Sequence, residues 1–183
     1  MQIIRLTVDE RVNLQALLGQ KILAVDVPEG DVSSGSLSMR NISNVRLTCE
    51  DDKFTFFSVR SIDLVKGVEV FLVEIATFLD LRRYPGGPPI TWHPIAALAE
   101  ELRGCTIENF RLLKAVWKVV AGNSVEGTYY GKHPLFLTYD LSDDATTFHV
   151  EDGIILFFSS GSALTLCATG DLPGTLRVWH SRA

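Results

Sequence analysis

The sequence has little of what disulfide-bonded, secreted and membrane-spanning proteins need. Its three cysteines, Cys49, Cys105 and Cys167, are widely spaced and form no C-x-x-C pair, which is a poor framework for disulfides or zinc. No apolar run approaches the roughly 18 residues that a membrane helix requires. The first residues also lack the pattern of a secretory signal, a basic region followed by an apolar stretch. We therefore expect a cytoplasmic protein with reduced thiols and no membrane contact.

The common catalytic and cofactor-binding motifs are missing as well. The chain has no phosphate-binding glycine loop of the G-x-x-x-x-G-K-[ST] or G-x-G-x-x-G type and no G-x-S-x-G nucleophile turn. Its four histidines are dispersed and form no H-E-x-x-H pattern; they are His93, His133, His149 and His180. The sequence thus predicts no catalytic residue, no metal site and no cofactor.

Positive charge is also scarce, since 17 lysines and arginines face 22 acidic residues and give a net charge of −5. Nucleic-acid binding requires clustered cationic side chains that neutralise phosphates. The composition therefore disfavours a nucleic-acid partner. A protein with a basic surface would suit this charge better.

Two segments carry the apolar spacing of short helices. The first spans residues 7–18, where Thr7 and Glu10 form a capping-box pattern and Gly19 can end the helix. The second begins at Pro94 and ends before Gly104. Both segments are followed by apolar runs that are typical of strands.

The order of these landmarks repeats along the chain. The matching pairs are residues 19–22 with 104–107, 47–56 with 137–148, and 67–72 with 153–158. We interpret this order as an internal duplication. The predicted fold is α+β with a mainly antiparallel sheet, built from two tandem copies of a helix plus a strand meander with approximate two-fold symmetry. The first repeat covers residues 1–81, a Pro/Gly linker covers 82–92, and the second repeat covers 93–183, all packed as one compact unit.

Strand predictions rest on the alternation of apolar and polar residues along the sequence. Val45, Leu47 and Cys49 alternate with polar residues and lead through a turn to Phe54 and Phe56, which predicts a hairpin with one buried face. The second copy repeats the pattern over residues 135–139 and 148–150. Further strands are predicted over residues 115–120, 125–130, 163–167 and 175–179. Residues 68–81 fit either a strand or a helix.

Acidic turns and nearby tyrosines are the candidate partner-binding residues. Aspartates are common in turns for local reasons, but an acidic surface would also steer and dock a basic partner. The candidates are Asp51, Asp52, Tyr129, Tyr130, Asp140, Asp143 and Asp144. The first functional hypothesis is a small protein-binding module, such as an immunity-type protein that masks a basic toxin or effector domain.

Two alternatives belong to other classes. The chain could bind a small molecule, or act as an enzyme, with a pocket between its halves. The candidate pocket residues are Cys105, Trp117, Tyr139 and His149. The chain could also be a structural component of a homo-oligomer that pairs exposed strand edges.

Overall fold

The computed structural model describes residues 2–29, 40–51, 53–65, 68–78, 91–120, 124–130, 146–168 and 174–182. Within them, the chain forms twelve strands and two short helices. In chain order these are β1 (Gln2–Ile4), α1 (Val8–Ala16), β2 (Ile22–Pro28), β3 (Arg40–Ile42), β4 (Val45–Cys49), β5 (Phe54–Val65), β6 (Val68–Phe78), β7 (Trp92–Pro94), α2 (Ala96–Leu102), β8 (Ile107–Val120), β9 (Ser124–Tyr130), β10 (Thr146–Phe158), β11 (Ser162–Ala168) and β12 (Leu176–Arg182). The fold is mostly β.

The expected α+β fold of two tandem helix–strand repeats is wrong. The two described helices are only nine and seven residues long, and the strands form two sheets rather than two matching meanders. Strands also cross between the expected halves. β1 and β3 join the sheet that contains β8 to β12, and β7 joins the sheet that contains β2, β4, β5 and β6. Local patterns identify strands but do not specify pairing partners. The repeated order of landmarks therefore does not imply two matching folded units.

The larger sheet has seven strands in the order β3-β12-β11-β10-β8-β9, with β1 attached to β10. All its pairings are antiparallel except that of β1, which runs parallel to β10 with Ile3 opposite His149. β11 pairs with residues 153–157 of β10. β1 therefore continues the same edge of β10 beyond the end of β11, with a register irregularity at Glu151–Gly153 between them.

The smaller sheet has five antiparallel strands in the order β6-β5-β4-β2-β7. In β4 the buried residues Val45, Leu47 and Cys49 alternate with partly exposed ones, and β4 pairs with β5 across the acidic turn. The predicted hairpin is confirmed. Residues 68–78 of the ambiguous segment form the strand β6, which pairs with β5 along its whole length.

Apolar side chains from both sheets and both helices form one core. In β4 alternate residues are buried, as expected of a strand with one buried face, whereas every residue of β11 is buried. Fully buried members include Leu14 of α1, Leu47 of β4, Leu98 of α2, Ile154 of β10 and Leu164 of β11. Neither described helix is long and apolar enough to cross a membrane.

The two glycines after the helices allow the sheets to meet. Gly19 and Gly104 have φ values of 80° and 79°, the left-handed conformation that ends many helices. The Gly19 N–H donates to Ile107 O at 2.9 Å and the Gly104 N–H donates to Ile22 O at 2.7 Å. The two post-glycine steps therefore pair with each other, around an isolated bridge between Lys21 and Thr106.

The remaining local predictions have mixed outcomes. The first helix and its capping box are confirmed, and the second helix begins after Ile95 rather than at Pro94. The predicted strand at residues 148–150 and the repeated landmark at 153–158 form a single strand, β10, with a register irregularity between them. Residues 82–90 of the predicted linker and strand residues 135–139 lie outside the described residues.

Candidate functional site

A cleft of about 340 Å³ lies between the N-terminal segment and strands β8 and β10. Its charged or polar lining residues are Arg5, Arg11, Lys114, His149 and Glu151, and its apolar ones are Ile3 and Val150. The volume is within the range of small-molecule sites, roughly 300–1,000 Å³. Val150 also belongs to a buried apolar cluster with Leu72 and Phe148, which gives this wall of the cleft a rigid base.

The start of α1 is fixed by its own capping box and by β5. Thr7 Oγ1 accepts from the Glu10 N–H at 3.2 Å, and a Glu10 carboxylate oxygen accepts from the Thr7 N–H at 2.6 Å. Arg60 of β5 donates to both Glu10 oxygens at 3.1 and 3.2 Å. Because Glu10 is 5% exposed, this pair holds the helix start against the sheet without competition from bulk water.

A second buried carboxylate ties the same segment to β10. Glu151 accepts from the Leu6 N–H at 3.1 Å and forms an ion pair with Arg11. Arg11 Nε also donates to Leu6 O at 3.4 Å. Among the lining residues that the structure describes, Glu151 is the only carboxylate, and its charge is already matched by Arg11.

Three other nitrogen-bearing side chains in the cleft have no partner of this kind. Arg5 and Lys114 are exposed and His149 is half-buried; in the described part of the chain none of them makes a side-chain hydrogen bond or ion pair. Lys114 lies directly opposite Glu151 and Val116 lies opposite His149. Residues directly opposite share a sheet face, and so do residues two apart on one strand. Lys114 and His149 therefore lie on one face.

The electrostatic balance of the cleft is positive. Among the described lining residues, three cationic groups, Arg5, Arg11 and Lys114, face one carboxylate, Glu151, so two positive charges remain without counting His149. A cleft lined by one sign of charge concentrates ions of the opposite sign. The arrangement can hold an anion, which the protein's overall negative charge does not suggest.

Of the four predicted pocket residues, the structure places His149 at the cleft and Cys105 away from it. Cys105 lies just before the start of β8, far along that strand from the position that pairs with His149. Ile107 pairs with Phe158 and Val116 pairs with His149, so roughly 30 Å of strand separates Ile107 from Val116. Trp117 is in β8 opposite Phe148, without a described side chain. Tyr139 lies outside the described residues.

The acidic partner-binding candidates are described only in part. Asp51 is exposed, and its carboxylate pairs with Lys53 at 2.7 Å; the side-chain hydrogen bond from Lys53 lowers the pKa of Asp51. Its charge is thus balanced locally. Tyr129 and Tyr130 are in β9, opposite Ala115 and Lys114, and their side chains are not described. The other candidates lie outside the described residues; they are Asp52, Asp140, Asp143 and Asp144.

Cys49 and Cys167 have the properties of structural thiols. Burial raises the pKa of the Cys49 thiol to about 11, and burial followed by the nearby charge of Asp152 raises the pKa of Cys167. A reactive cysteine requires a lowered pKa and access to solvent. The Cys105 Sγ contacts Glu101 O at 3.4 Å. The expected inward position of Cys49 is confirmed, with 2% exposure.

A carboxylate–imidazole pair occurs near α2. The Nδ1 atom of His180 lies 3.4 Å from a Glu101 oxygen, and Arg182 Nε donates to the other oxygen at 2.6 Å. Within the described residues, His180 Nε2 is buried and has no hydrogen-bond partner. The imidazole is thus closed to a substrate in this structure, and the pair is a packing feature rather than an open catalytic site.

Neither metal ligation among the described residues nor comparison with known proteins identifies a further site. Among the described residues, no group of three or more His, Cys, Asp or Glu side chains could hold a metal ion. No known family, no curated protein and no solved structure matches this chain.

Sequence reasoning identified His149 but missed the rest of the cleft. Arg5, Arg11, Lys114 and Glu151 are separated by up to 146 positions and follow no motif. The sequence feature that could have indicated the site is the pair of arginines, Arg5 and Arg11, on either side of the capping box at the start of α1. Their convergence with β8 and β10 depends on the parallel pairing of β1, which no local pattern indicates.

Proposed function

We propose that this protein is a cytoplasmic binding protein and that it holds a small anionic molecule in the cleft between its N-terminal segment and strands β8 and β10. One observation carries the proposal: Arg5, Lys114 and His149 converge on a cleft where Glu151, the one carboxylate among its described lining residues, is already paired. Unmatched cationic groups in a concave site are what anion recognition requires.

The proposed chemistry is binding without a reaction. Arg5 offers a planar guanidinium fork and Lys114 offers a mobile ammonium group, and both suit carboxylate or phosphate oxygens. Arg11, fixed by Glu151 and Leu6, forms a positively charged wall. The buried cluster behind Val150 supports the site from the side of the sheet.

A thermal-shift screen at low ionic strength tests this proposal. Inorganic phosphate, succinate, acetate and neutral glycerol would be added to the wild type and to Lys114→Gln. We expect anions, but not glycerol, to raise the melting temperature, because a ligand of the native state stabilises it. The variant should give a smaller shift.

Lys21→Gln is the matched control because it also removes one exposed lysine. Lys21 lies next to Thr106, eight positions along the chain from Lys114, or roughly 25 Å of strand. Its contact with Glu50, at 3.5 Å, is exposed and should contribute little to stability. Equal anion shifts in both variants, or no shift with any anion, would rule out the cleft.

A protein-binding module is the second candidate, in the immunity-type form suggested by the acidic turns. Exposed apolar surface on α1 favours a protein contact: Val8 and Val12, one turn apart, are 77% and 58% exposed. This form requires a salt-sensitive complex with a basic protein, which Asp143→Lys should form more slowly. Association rates unchanged by salt and by that substitution would argue against it.

A further inference from the structure

We propose that the anion held in the cleft is the phosphoryl group of a small phosphomonoester. This inference rests on the proposed function and names its ligand class. The lining combines unmatched positive charge with apolar surface, and a phosphomonoester matches both. A simple carboxylate matches the positive charge but not the apolar surface.

The charge of the site favours a dianion. The Arg11 charge is matched by Glu151, while Arg5 and Lys114 each have no ion-pair partner in the described part of the chain. A phosphomonoester carries about −1.5 to −2 charges near neutral pH. It would therefore balance both groups, whereas a monocarboxylate would leave one of them unmatched.

The directions of the donors favour a tetrahedral group. Arg5 comes from the segment before α1, Lys114 from β8 and His149 from β10. Lys114 and His149 reach the cleft from one face of the larger sheet, and Arg5 reaches it from the segment before α1. A phosphoryl group presents three terminal oxygens that can accept from such directions, whereas the two oxygens of a carboxylate accept mainly in one plane.

The size and apolar part of the cleft favour an ester over bare phosphate. A volume of about 340 Å³ exceeds several-fold the roughly 30 Å³ that one water molecule occupies in the liquid, and leaves room beyond a single phosphoryl group. Ile3 lines the cleft and is 50% exposed. It offers apolar surface to the organic part of an ester, whose burial would add to the electrostatic attraction.

Isothermal titration at pH 8 and fixed ionic strength tests the ligand class with four probes. These are phenyl phosphate, phenyl sulfate, benzoate and inorganic phosphate. Phenyl sulfate keeps the tetrahedral shape but carries one charge, and benzoate is a planar monoanion. We expect phenyl phosphate to bind at least about tenfold more tightly than either, because one further charge acts at close range.

An Ile3→Ala variant separates the two parts of the ligand. It should weaken phenyl phosphate by about threefold, through lost apolar contact, and leave inorganic phosphate unchanged. Benzoate or phenyl sulfate binding as tightly as phenyl phosphate would overturn the phosphomonoester inference while leaving the anion-binding cleft intact. If no probe binds the wild type, both proposals fail.

Discussion

Replacing Glu151 by glutamine should weaken the fold and strengthen anion binding at the same time. The Glu151 carboxylate is buried, with 6% exposure, and it joins β10 to the Leu6 N–H and to Arg11. A glutamine amide can still accept from Leu6, but it leaves Arg11 without its counter-charge. Hydrogen bonds to charged groups contribute about 1.5–3 kcal/mol, so we expect the free energy of unfolding to fall by about 2 kcal/mol.

The same substitution removes the one negative charge among the described residues that line the cleft. At a separation of roughly 6 Å, two unit charges interact with about 0.7 kcal/mol in water and about 2.8 kcal/mol at an effective dielectric constant of 20. Since about 1.4 kcal/mol corresponds to a tenfold change in affinity, Glu151→Gln should tighten binding of phenyl phosphate by at least roughly threefold.

Urea denaturation and isothermal titration measure the two effects separately. Glu50→Gln is the control, because Glu50 is exposed and pairs with Lys21 away from the cleft; it should change neither quantity appreciably. If Glu151→Gln weakens phosphate binding while the protein remains folded, the carboxylate supports the ligand rather than repelling it. That result would refute our account of the cleft.

Three further predictions concern stability. Gly153→Ala should destabilise the fold by about 1–3 kcal/mol, because its Cβ would lie 2.6 Å from Cys167 Sγ; an unchanged urea midpoint would contradict this. Burial raises the pKa of the Cys49 thiol from 9.0 to about 11. The protonated thiol therefore contributes about 2–3 kcal/mol to the free energy of unfolding. This contribution is complete below pH 9 and is lost as the pH rises through 11. Unfolding titrations should show a decline in the wild type that is about 2–3 kcal/mol smaller in Cys49→Ala, where the raised pKa of the Cys167 thiol still contributes. Arg46→Leu should cost about 3–5 kcal/mol, measured by urea denaturation, because it leaves the buried Asp26 carboxylate without the guanidinium at 2.6 Å; a loss below 1 kcal/mol would contradict it.

Local structure was predictable wherever neighbouring residues determine it. The Thr7 and Glu10 pair forms the capping box that its spacing predicts. The alternation of Val45, Leu47 and Cys49 gives the expected buried face of a strand. These features depend on periodicity and on contacts within a few residues, which a single sequence contains.

Strand pairing between distant segments was not predictable. The sequence gives no sign that β1 pairs in parallel with β10, or that β7 joins β2. Short strands at sheet edges have too few residues to show a distinctive periodicity. The similar order of landmarks in the two halves suggested paired repeats, whereas the strands are shared between two sheets.

The candidate site follows from that unpredicted pairing. The Arg11 side chain meets Glu151 across 140 positions of sequence, and Lys114 reaches the same cleft from a third segment. Net charge was a poor guide, because a chain of net charge −5 has a locally positive cleft. The acidic turns were the more visible feature, and the described one is balanced by Lys53.

The most direct test of the cleft is to reverse its unmatched charges. Arg5→Glu/Lys114→Glu would be compared with Lys21→Glu/Lys53→Glu, which makes the same change in net charge away from the cleft. Isothermal titration with phenyl phosphate should show no binding to the first variant and near wild-type affinity for the second, with both shown to be folded by circular dichroism. Equal affinity of the two variants would contradict an anion-binding function for the cleft.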